Sequence, residues 1–125
     1  MLVNTFFKII KSEKTDNKII AEIEISAGHD IYKGHFPGNP ITPGVVQIQI
    51  VKEILESFYK KELRLLSIPR CNFLKIWNPN DTPNITVEIS FSENPLQVSA
   101  VGLHNSDTYF KLSATFSSEP MLKSY

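Results

Sequence analysis

The chain has 125 residues, of which 42% are hydrophobic and 21% are charged, and its 13 basic residues balance its 13 acidic ones. This length and composition predict a single globular domain spanning residues 1–125, with a polar, frayed tail from about residue 118. The neutral formal charge and the lack of basic clusters argue against nucleic acid as a partner. A net charge near zero is compatible with self-association.

Cysteine content and hydropathy narrow the class of protein further. Cys71 is the one cysteine, which excludes an internal disulfide and predicts a small buried hydrophobe rather than a nucleophile. No segment approaches the ~20 apolar residues that a membrane span requires. The first residues also lack the pattern of a signal peptide. These features predict a cytoplasmic protein without a membrane span.

Apolar segments alternate with turn residues along the chain, which predicts six strands and one helix. Ala21, Ile23 and Ile25 show the strict alternation of a strand with one buried face. The predicted strands cover residues 5–13, 18–26, 63–77, 84–92, 96–104 and 108–117, and the helix covers about residues 43–61. This order predicts an α+β fold in which an antiparallel sheet packs against one helix.

The predicted helix is apolar over more than half of its circumference, so we expect the sheet to wrap most of it. Placing residues about 100° apart gathers the polar side chains into one stripe: Gln49, Lys52, Glu53, Glu56 and Lys60. Within this stripe, Glu53 is expected to form ordinary solvent-exposed pairs with Lys52 or Lys60. Gln47 lies instead within the apolar face. A buried amide there must either cap backbone groups nearby or point into a cavity.

The densest cluster of backbone-restricting residues is GHFPGNPITPGV, residues 34–45, which holds three prolines, three glycines and one histidine. Pro43 is predicted to be the first helical residue, with Thr42 as its cap. Gly44 and Val45 then present unpaired N–H groups at the positive end of the helix dipole. Because Gly44 has no side chain, a ligand carbonyl or oxyanion can approach its N–H closely.

This segment supports two interpretations. In the first, His35 removes a proton next to a carbonyl group while the helix amides hold the developing enolate. In the second, the segment is a rigid turn whose histidine only forms hydrogen bonds with the backbone. Residue types and spacing favour the two interpretations equally.

The segment GHFPGNPITPGV resembles the signature H-F-P-G-x-P-x-x-P-G-V of the hot-dog-fold β-hydroxyacyl-acyl-carrier-protein dehydratases, in which it precedes the central helix. The lead-in HDIYKGHFPG is also similar, and FLKIWNPND, residues 73–81, resembles the family's F-x-K/R-x-V-x-P-G-D strand. Asn80 stands where glycine is usual, a mild change because both residues tolerate a left-handed turn. The resemblance implies a hot-dog fold, a curved antiparallel sheet wrapped around one long central α-helix.

The same resemblance implies a function and a site. The family dehydrates 3-hydroxyacyl thioesters to trans-2-enoyl thioesters, in fatty-acid or polyene-type synthesis, and its acyl tunnel follows the boundary between two subunits. By position, His35 is the catalytic histidine and the Gly44 N–H polarises the thioester carbonyl. The backbone around Pro37 and Gly38 fixes the imidazole. The residues implied to line the acyl tunnel are Phe36, Val45, Val46 and Phe73.

One position departs from the family. The carboxylate that normally follows the histidine by 14 residues, and reaches the site from the other subunit, is replaced by Gln49. An amide cannot take up and return a proton at useful pH, although it still orients a water or a hydroxyl. Three outcomes stay open: His35 alone shuttles the proton, a paralogue supplies the carboxylate in a heterodimer, or the chain is a non-catalytic acyl-binding subunit. An acyl thioesterase is a further alternative.

The resemblance also sets the expected partners and cofactors. The expected partners are an acyl carrier protein or coenzyme A thioester and a second subunit, which is identical or paralogous. Three cations either contact the acidic carrier or are ordinary solvated residues: Lys33, Arg70 and Lys75. No metal or organic cofactor is expected, because the thioester already acidifies the α-carbon. His29, Asp30 and His35 have a loose metal-ligand spacing but lack a fourth ligand.

Overall fold

The computed structural model describes residues 2–29 and 41–118. Within these ranges the chain forms strands and a helix in the order that the sequence predicts. The elements are β1 Phe7–Lys14, β2 Lys18–Ile25, α1 Gly44–Tyr59, β3 Arg64–Phe73, β4 Asn84–Ser92, β5 Leu96–His104 and β6 Asp107–Ser117. The predicted bounds of β4 and β5 are confirmed, whereas the predicted tail lies, from residue 119 onward, outside the described residues. No helix in the described ranges is long and apolar enough to cross a membrane.

All six strands form one antiparallel sheet with the order β1-β2-β4-β5-β6-β3. α1 connects β2, near one edge, to β3 at the opposite edge. In the pairing of β2 with β4, Ala21 stands opposite Val87 and Ile23 opposite Ile85. Apolar side chains are thereby matched across neighbouring strands, which stabilises this register. The predicted α+β class, with an antiparallel sheet and one helix, is confirmed.

The core lies between one face of this sheet and α1. Every second residue of β2 and β4 is buried, namely Ile19, Ala21, Ile23, Ile25, Ile85, Val87, Ile89 and Phe91. On the helix, Ile50, Val51, Ile54 and Leu55 are fully buried, at the spacing of a single helix face. Seven of the 16 helix residues are buried, so the sheet covers the apolar face as expected but does not bury most of the helix. Val45, which is 75% exposed in the first turn, is the clear exception.

The first turn of α1 begins one residue later than the sequence predicts. Pro43 is the N-cap, with an extended backbone at φ −62° and ψ 149°, and the first helical residue is Gly44. No described side chain caps the helix, so the predicted cap by Thr42 is wrong. The physical reason is a long-range bond: the Thr42 N–H donates to the carbonyl of Trp77 at 2.9 Å, which holds the incoming chain extended.

β3 ends at Phe73 rather than at the predicted Trp77. The N–H groups of Leu74 and Lys75 both donate to the carbonyl of Tyr109, at 2.8 and 3.4 Å, so the chain stops advancing along β6. Trp77 is then fully buried outside any strand, where its indole N–H donates to the carbonyl of Thr82 at 2.9 Å. The apolar pattern of this segment thus reflects a buried loop residue in addition to a strand.

Candidate functional site

The first turn of α1 leaves two backbone amides without partners in the described ranges. The N–H groups of Val46 and Gln47 both donate to the carbonyl of Pro43, at 3.1 and 3.2 Å. The N–H groups of Gly44 and Val45 donate to no described residue. These two amides stand at the positive end of the helix dipole, where they favour a carbonyl oxygen or an anion.

Phe73 packs directly against Gly44. A Cβ added at Gly44 would lie 2.6 Å from two carbons of the Phe73 ring, far inside the distance at which carbons make favourable contact. Glycine therefore makes room for this ring, in addition to the ligand approach that the sequence predicts. The ring is 47% exposed, so it covers Gly44 while remaining open to solvent.

These residues line a cleft of about 310 Å³ at the start of the helix. Its walls are residues 41–44, Gln47 and the stretch from 73 to 77. Val45 is exposed beside this cleft, whereas Val46 is buried in the core. The roles of Val45, Val46 and Phe73 in lining an acyl tunnel stay predictions.

Gln47 is 3% exposed, on the apolar side of α1. Its Nε2 donates to the carbonyl of Thr42 at 3.1 Å, so this side chain does cap a backbone group nearby, one of the two predicted roles. Its Oε1 is buried and accepts no hydrogen bond from a described residue. A buried acceptor without a partner costs about 1–3 kcal/mol. A ligand N–H or O–H that reached this oxygen would recover that cost.

Gln49 and Glu53 form a second group of polar residues, one turn apart on α1. The Nε2 of Gln49 donates to Oε2 of Glu53 at 2.7 Å. Glu53 is 1% exposed and also accepts the N–H groups of Leu2, at 2.8 and 2.9 Å, and Val3, at 2.7 Å. The prediction that Glu53 pairs with exposed lysines is wrong, because residues 2 and 3 cover it and supply backbone donors.

The Gln49–Glu53 pair lines a different cleft from Gly44. This second cleft has a volume of about 650 Å³ and lies between residues 3–4, the polar side of α1 and residues 61–63. Gly44 does not line it, and Gln49 does not line the first cleft. Among the described residues, the structure thus brings Gly44 together with Phe73 and Gln47, and brings Gln49 together with Glu53, but keeps the two groups apart.

Several predicted site residues lie outside the described residues: His35, Phe36, Pro37 and Gly38. Their catalytic and binding roles stay predictions. Asp30, one of the loosely spaced metal-ligand candidates, also lies outside. His29 is described, and its ring stands edge-on to Phe6 with the ring centroids 5.2 Å apart. Across residues 2–29 and 41–118, no group of three or more potential metal ligands is found.

The structure also shows the surroundings of Lys75 and Cys71, two residues considered in the sequence analysis. The Nζ of Lys75 pairs with Oδ2 of Asp107 at 2.8 Å, and this hydrogen bond raises the pKa of Lys75. Cys71 is half-buried on β3 and packs against the core. Burial raises the pKa of its thiol, which disfavours the reactive thiolate. Cys71 therefore resembles the small hydrophobe that the sequence predicts, although it is only partly buried.

Glu53 is the member of the site that sequence reasoning missed. Its backbone partners, Leu2 and Val3, lie 51 and 50 residues earlier in the chain. A helical wheel records only neighbours within the helix, so it assigned Glu53 to the solvent face. The signal that could have helped is the apolar pair Leu2–Val3 ahead of the first strand, which needs a surface to pack against.

The sequence of the chain matches a family model and several curated proteins. A family model described as ApeI-like, ApeI dehydratase, matches residues 11–111. The chain is 31% identical over 87 residues to the 3-hydroxyacyl-acyl-carrier-protein dehydratase FabZ of Lactococcus lactis subsp. lactis (strain IL1403), covering 62% of this chain and 56% of the relative. It is 33% identical over 82 residues to FabZ of Rickettsia massiliae (strain Mtu5), covering 58% and 57%. The matches thus span little more than half the length of these curated relatives.

Solved structures share the fold. The chain resembles a chain of the dehydratase heterocomplex ApeI:P from Xenorhabdus doucetiae, with a TM-score of 0.70 and 20% identity, covering 86% of this chain and 95% of that one. It also resembles a protein from Erwinia carotovora subsp. atroseptica, with a TM-score of 0.66 and 19% identity, covering 86% and 90%. The six-stranded antiparallel sheet with its one described helix is therefore a hot-dog fold, and this expectation is confirmed.

Proposed function

Because the chain belongs to the ApeI-like dehydratase family, we propose that it dehydrates a 3-hydroxyacyl thioester, carried by an acyl carrier protein, to a trans-2-enoyl thioester. The observation that carries this proposal is the family match over residues 11–111, which includes both dehydratase-like segments, 34–45 and 73–81. The curated relatives are 3-hydroxyacyl-acyl-carrier-protein dehydratases, which supports the same substrate class and a role in fatty-acid or polyene-type synthesis.

In the proposed reaction, His35 removes a proton from the α-carbon while the Gly44 N–H binds the thioester oxygen as negative charge develops there. The position of Gly44 as the first residue of α1 supports its role, since the start of a helix stabilises negative charge. The bond between the β-carbon and its hydroxyl then breaks and the α,β double bond forms. The hydroxyl takes up a proton and leaves as water.

The proposed active unit is a dimer or a higher oligomer. Gly44 and Gln49 line different clefts of one subunit, which supports a site that combines Gly44 of one subunit with residue 49 of another. β3 is an edge strand on which Leu65 and Leu66 are exposed, and such an edge favours pairing with a second chain. The second subunit is an identical chain or a paralogue.

A second candidate function is that of a half-site subunit in a heteromeric dehydratase. Gln49 favours this alternative, because an amide cannot exchange a proton with the leaving hydroxyl. The chain would then supply His35 and Gly44, and a paralogue would supply the carboxylate. The similar structure from Xenorhabdus is a dehydratase heterocomplex, which supports heteromeric assembly as a precedent for this fold.

The test combines the purified chain with a 3-hydroxyacyl carrier-protein thioester and follows the enoyl product by mass spectrometry. His35→Ala should abolish turnover. Gln49→Glu, made together with Glu53→Gln so that the new carboxylate does not face that of Glu53, should increase it, within the roughly 10²–10⁴-fold range of general acid–base catalysis. Glu88→Gln is the control, because it makes a carboxylate-to-amide change at an ion pair with Lys18 between β2 and β4. This variant should turn over like the parent.

Each outcome assigns a function. Turnover by the parent that disappears in His35→Ala supports a dehydratase that works with one base. An inactive parent that yields product only in the Gln49→Glu, Glu53→Gln variant, or after mixing with a carboxylate-bearing paralogue, supports the half-site subunit. Free thiol without enoyl product would identify a thioesterase. If no reaction gave enoyl product or free thiol, both candidate functions would be contradicted and an acyl-binding role would remain.

A further inference from the structure

The carboxylate of Glu53 is surrounded by donors from its own chain. Oε1 accepts the N–H groups of Leu2 and Val3, at 2.8 and 2.7 Å. Oε2 accepts the Leu2 N–H at 2.9 Å and the Nε2 of Gln49 at 2.7 Å. Since the side chain is 1% exposed, water does not compete for these positions. Three donors therefore fix the orientation of the carboxylate.

This carboxylate decides which end of the Gln49 amide faces the second cleft. An ionised carboxylate only accepts hydrogen bonds, so the Gln49 group beside it must be the NH₂. The carbonyl oxygen Oε1 of Gln49 is then turned away from Glu53. Gln49 lines the cleft of about 650 Å³. It therefore offers that cleft an acceptor rather than a donor.

We propose that Glu53 is a positioning residue that holds the Gln49 carbonyl oxygen in place to accept a hydrogen bond from the β-hydroxyl of the substrate. This inference rests on the proposed dehydratase function. It makes Gln49 selective: a 3-hydroxyacyl chain offers a donor at this point, whereas a 3-oxoacyl chain offers only an acceptor. The amide takes no part in the proton balance, because His35 takes the α-proton and returns it to the hydroxyl oxygen, which leaves as water.

Glu53→Gln tests the proposal without changing the size of the side chain. The carbonyl oxygen of the new amide is required by the N–H groups of Leu2 and Val3, so its NH₂ must face Gln49. Gln49 then has to turn over to accept from that NH₂, and it presents its own NH₂ to the cleft. The variant thus converts the acceptor in the cleft into a donor.

The exchanged pair, Gln49→Glu with Glu53→Gln, restores the original polarity. The introduced amide accepts the N–H groups of Leu2 and Val3 and donates to the introduced carboxylate. All donors and acceptors of the parent arrangement remain satisfied, and the cleft again receives an acceptor oxygen. A role that is only structural does not predict this recovery.

The experiment measures the dissociation constants of 3-hydroxyacyl and 3-oxoacyl pantetheine thioesters by calorimetry, in a His35→Ala background in which no dehydration is expected. With Gln49 and Glu53 both present, the protein should bind the 3-hydroxyacyl thioester about tenfold more tightly than the 3-oxoacyl thioester. This difference corresponds to one matched hydrogen bond. Glu53→Gln should abolish or reverse this preference, and the exchanged pair should restore it. Glu88→Gln serves as the matched control and should keep the parent preference.

An independent measurement follows the side-chain NH₂ of Gln49 by NMR, assigned by its loss in Gln49→Glu. Its hydrogens should exchange with water at least about tenfold faster in Glu53→Gln than in the parent, because they leave a buried acceptor for the cleft. An unchanged ligand preference in Glu53→Gln, or no recovery in the exchanged pair, would overturn the positioning role even if the chain is an active dehydratase. Failure of both thioesters to bind any variant would instead count against the proposed function, while the exchange rates still report on the Glu53 contact.

Discussion

Gln47 and Glu53 are both buried polar residues of α1, at 3% and 1% exposure, yet their hydrogen bonding is very different. Glu53 accepts from two backbone N–H groups and from Gln49. Gln47 donates once, to Thr42, and its Oε1 has no partner among the described residues. Burial alone therefore does not distinguish a polar residue that fixes the structure from one that has unused capacity for a ligand. The two kinds of residue differ in whether all the hydrogen-bonding atoms of the side chain have partners.

The largest effect is expected for Glu53→Met, which keeps an unbranched side chain of similar length but removes the acceptor. The N–H groups of Leu2 and Val3 then lose their partner, and the free energy of unfolding should fall by about 3 kcal/mol, from two or three charge-assisted bonds. The measurement is urea unfolding, with amide hydrogen exchange at Val3 as a local reporter. Exchange at Val3 should accelerate even under conditions in which the core stays folded.

Glu56→Met is the matched control for this prediction. Glu56 is also a carboxylate of α1, but it is half-buried, and it accepts one backbone N–H, that of Leu63, at 2.8 Å. Its replacement should cost about 1 kcal/mol and leave exchange at Val3 unchanged. Equal losses for the two glutamates would mean that the contact of Glu53 with residues 2 and 3 contributes little to stability, and Glu53 would then not differ from Gln47 in fixing the structure.

A smaller effect is expected at the start of α1, where Phe73 lies against Gly44. The added methyl of Gly44→Ala meets the ring at 2.6 Å, and because the ring is exposed enough to turn aside, the loss in unfolding free energy should be about 1 kcal/mol. In a Phe73→Ala background the same change should be neutral or stabilising by about 0.5 kcal/mol, since alanine is the better helix residue. The measurement is a double-mutant cycle by urea unfolding. A coupling energy near zero would show that the ring does not occupy this position in solution.

Much of the fold is readable from local patterns, and the exceptions have long-range causes. β4 and β5 are bounded by turn residues, so their limits follow from the sequence. β3 stops early because the Tyr109 carbonyl receives the N–H groups of Leu74 and Lys75, a contact with β6 that no local pattern contains. The one-residue error at the start of α1 likewise comes from the bond between Thr42 and Trp77.

The candidate site divides in the same way. The Gly44 amide is a backbone group at a helix start, and the prolines and glycines around it make that start visible in the sequence. The role of Glu53 depends on Leu2 and Val3, 51 and 50 residues away, and helical periodicity assigns it to the wrong environment. Gln47 lies between these cases. Its place on the apolar face follows from periodicity, whereas the lack of a described partner for its Oε1 can be seen only in the structure.

The smallest effect on stability is expected for Gln47→Met, although Gln47 is almost as buried as Glu53. The change removes one bond to Thr42, worth about 1 kcal/mol, but it also removes a buried oxygen whose missing partner costs about as much. The free energy of unfolding measured in urea should therefore stay within about 1 kcal/mol of the parent, close to that of Gln97→Met, an exposed site on β5. If Gln47→Met instead cost as much as Glu53→Met, its Oε1 would have a partner in solution, and it would belong with Glu53 among the residues that fix the structure. Near-neutral stability combined with weaker binding of the thioester would place the missing donor on the ligand.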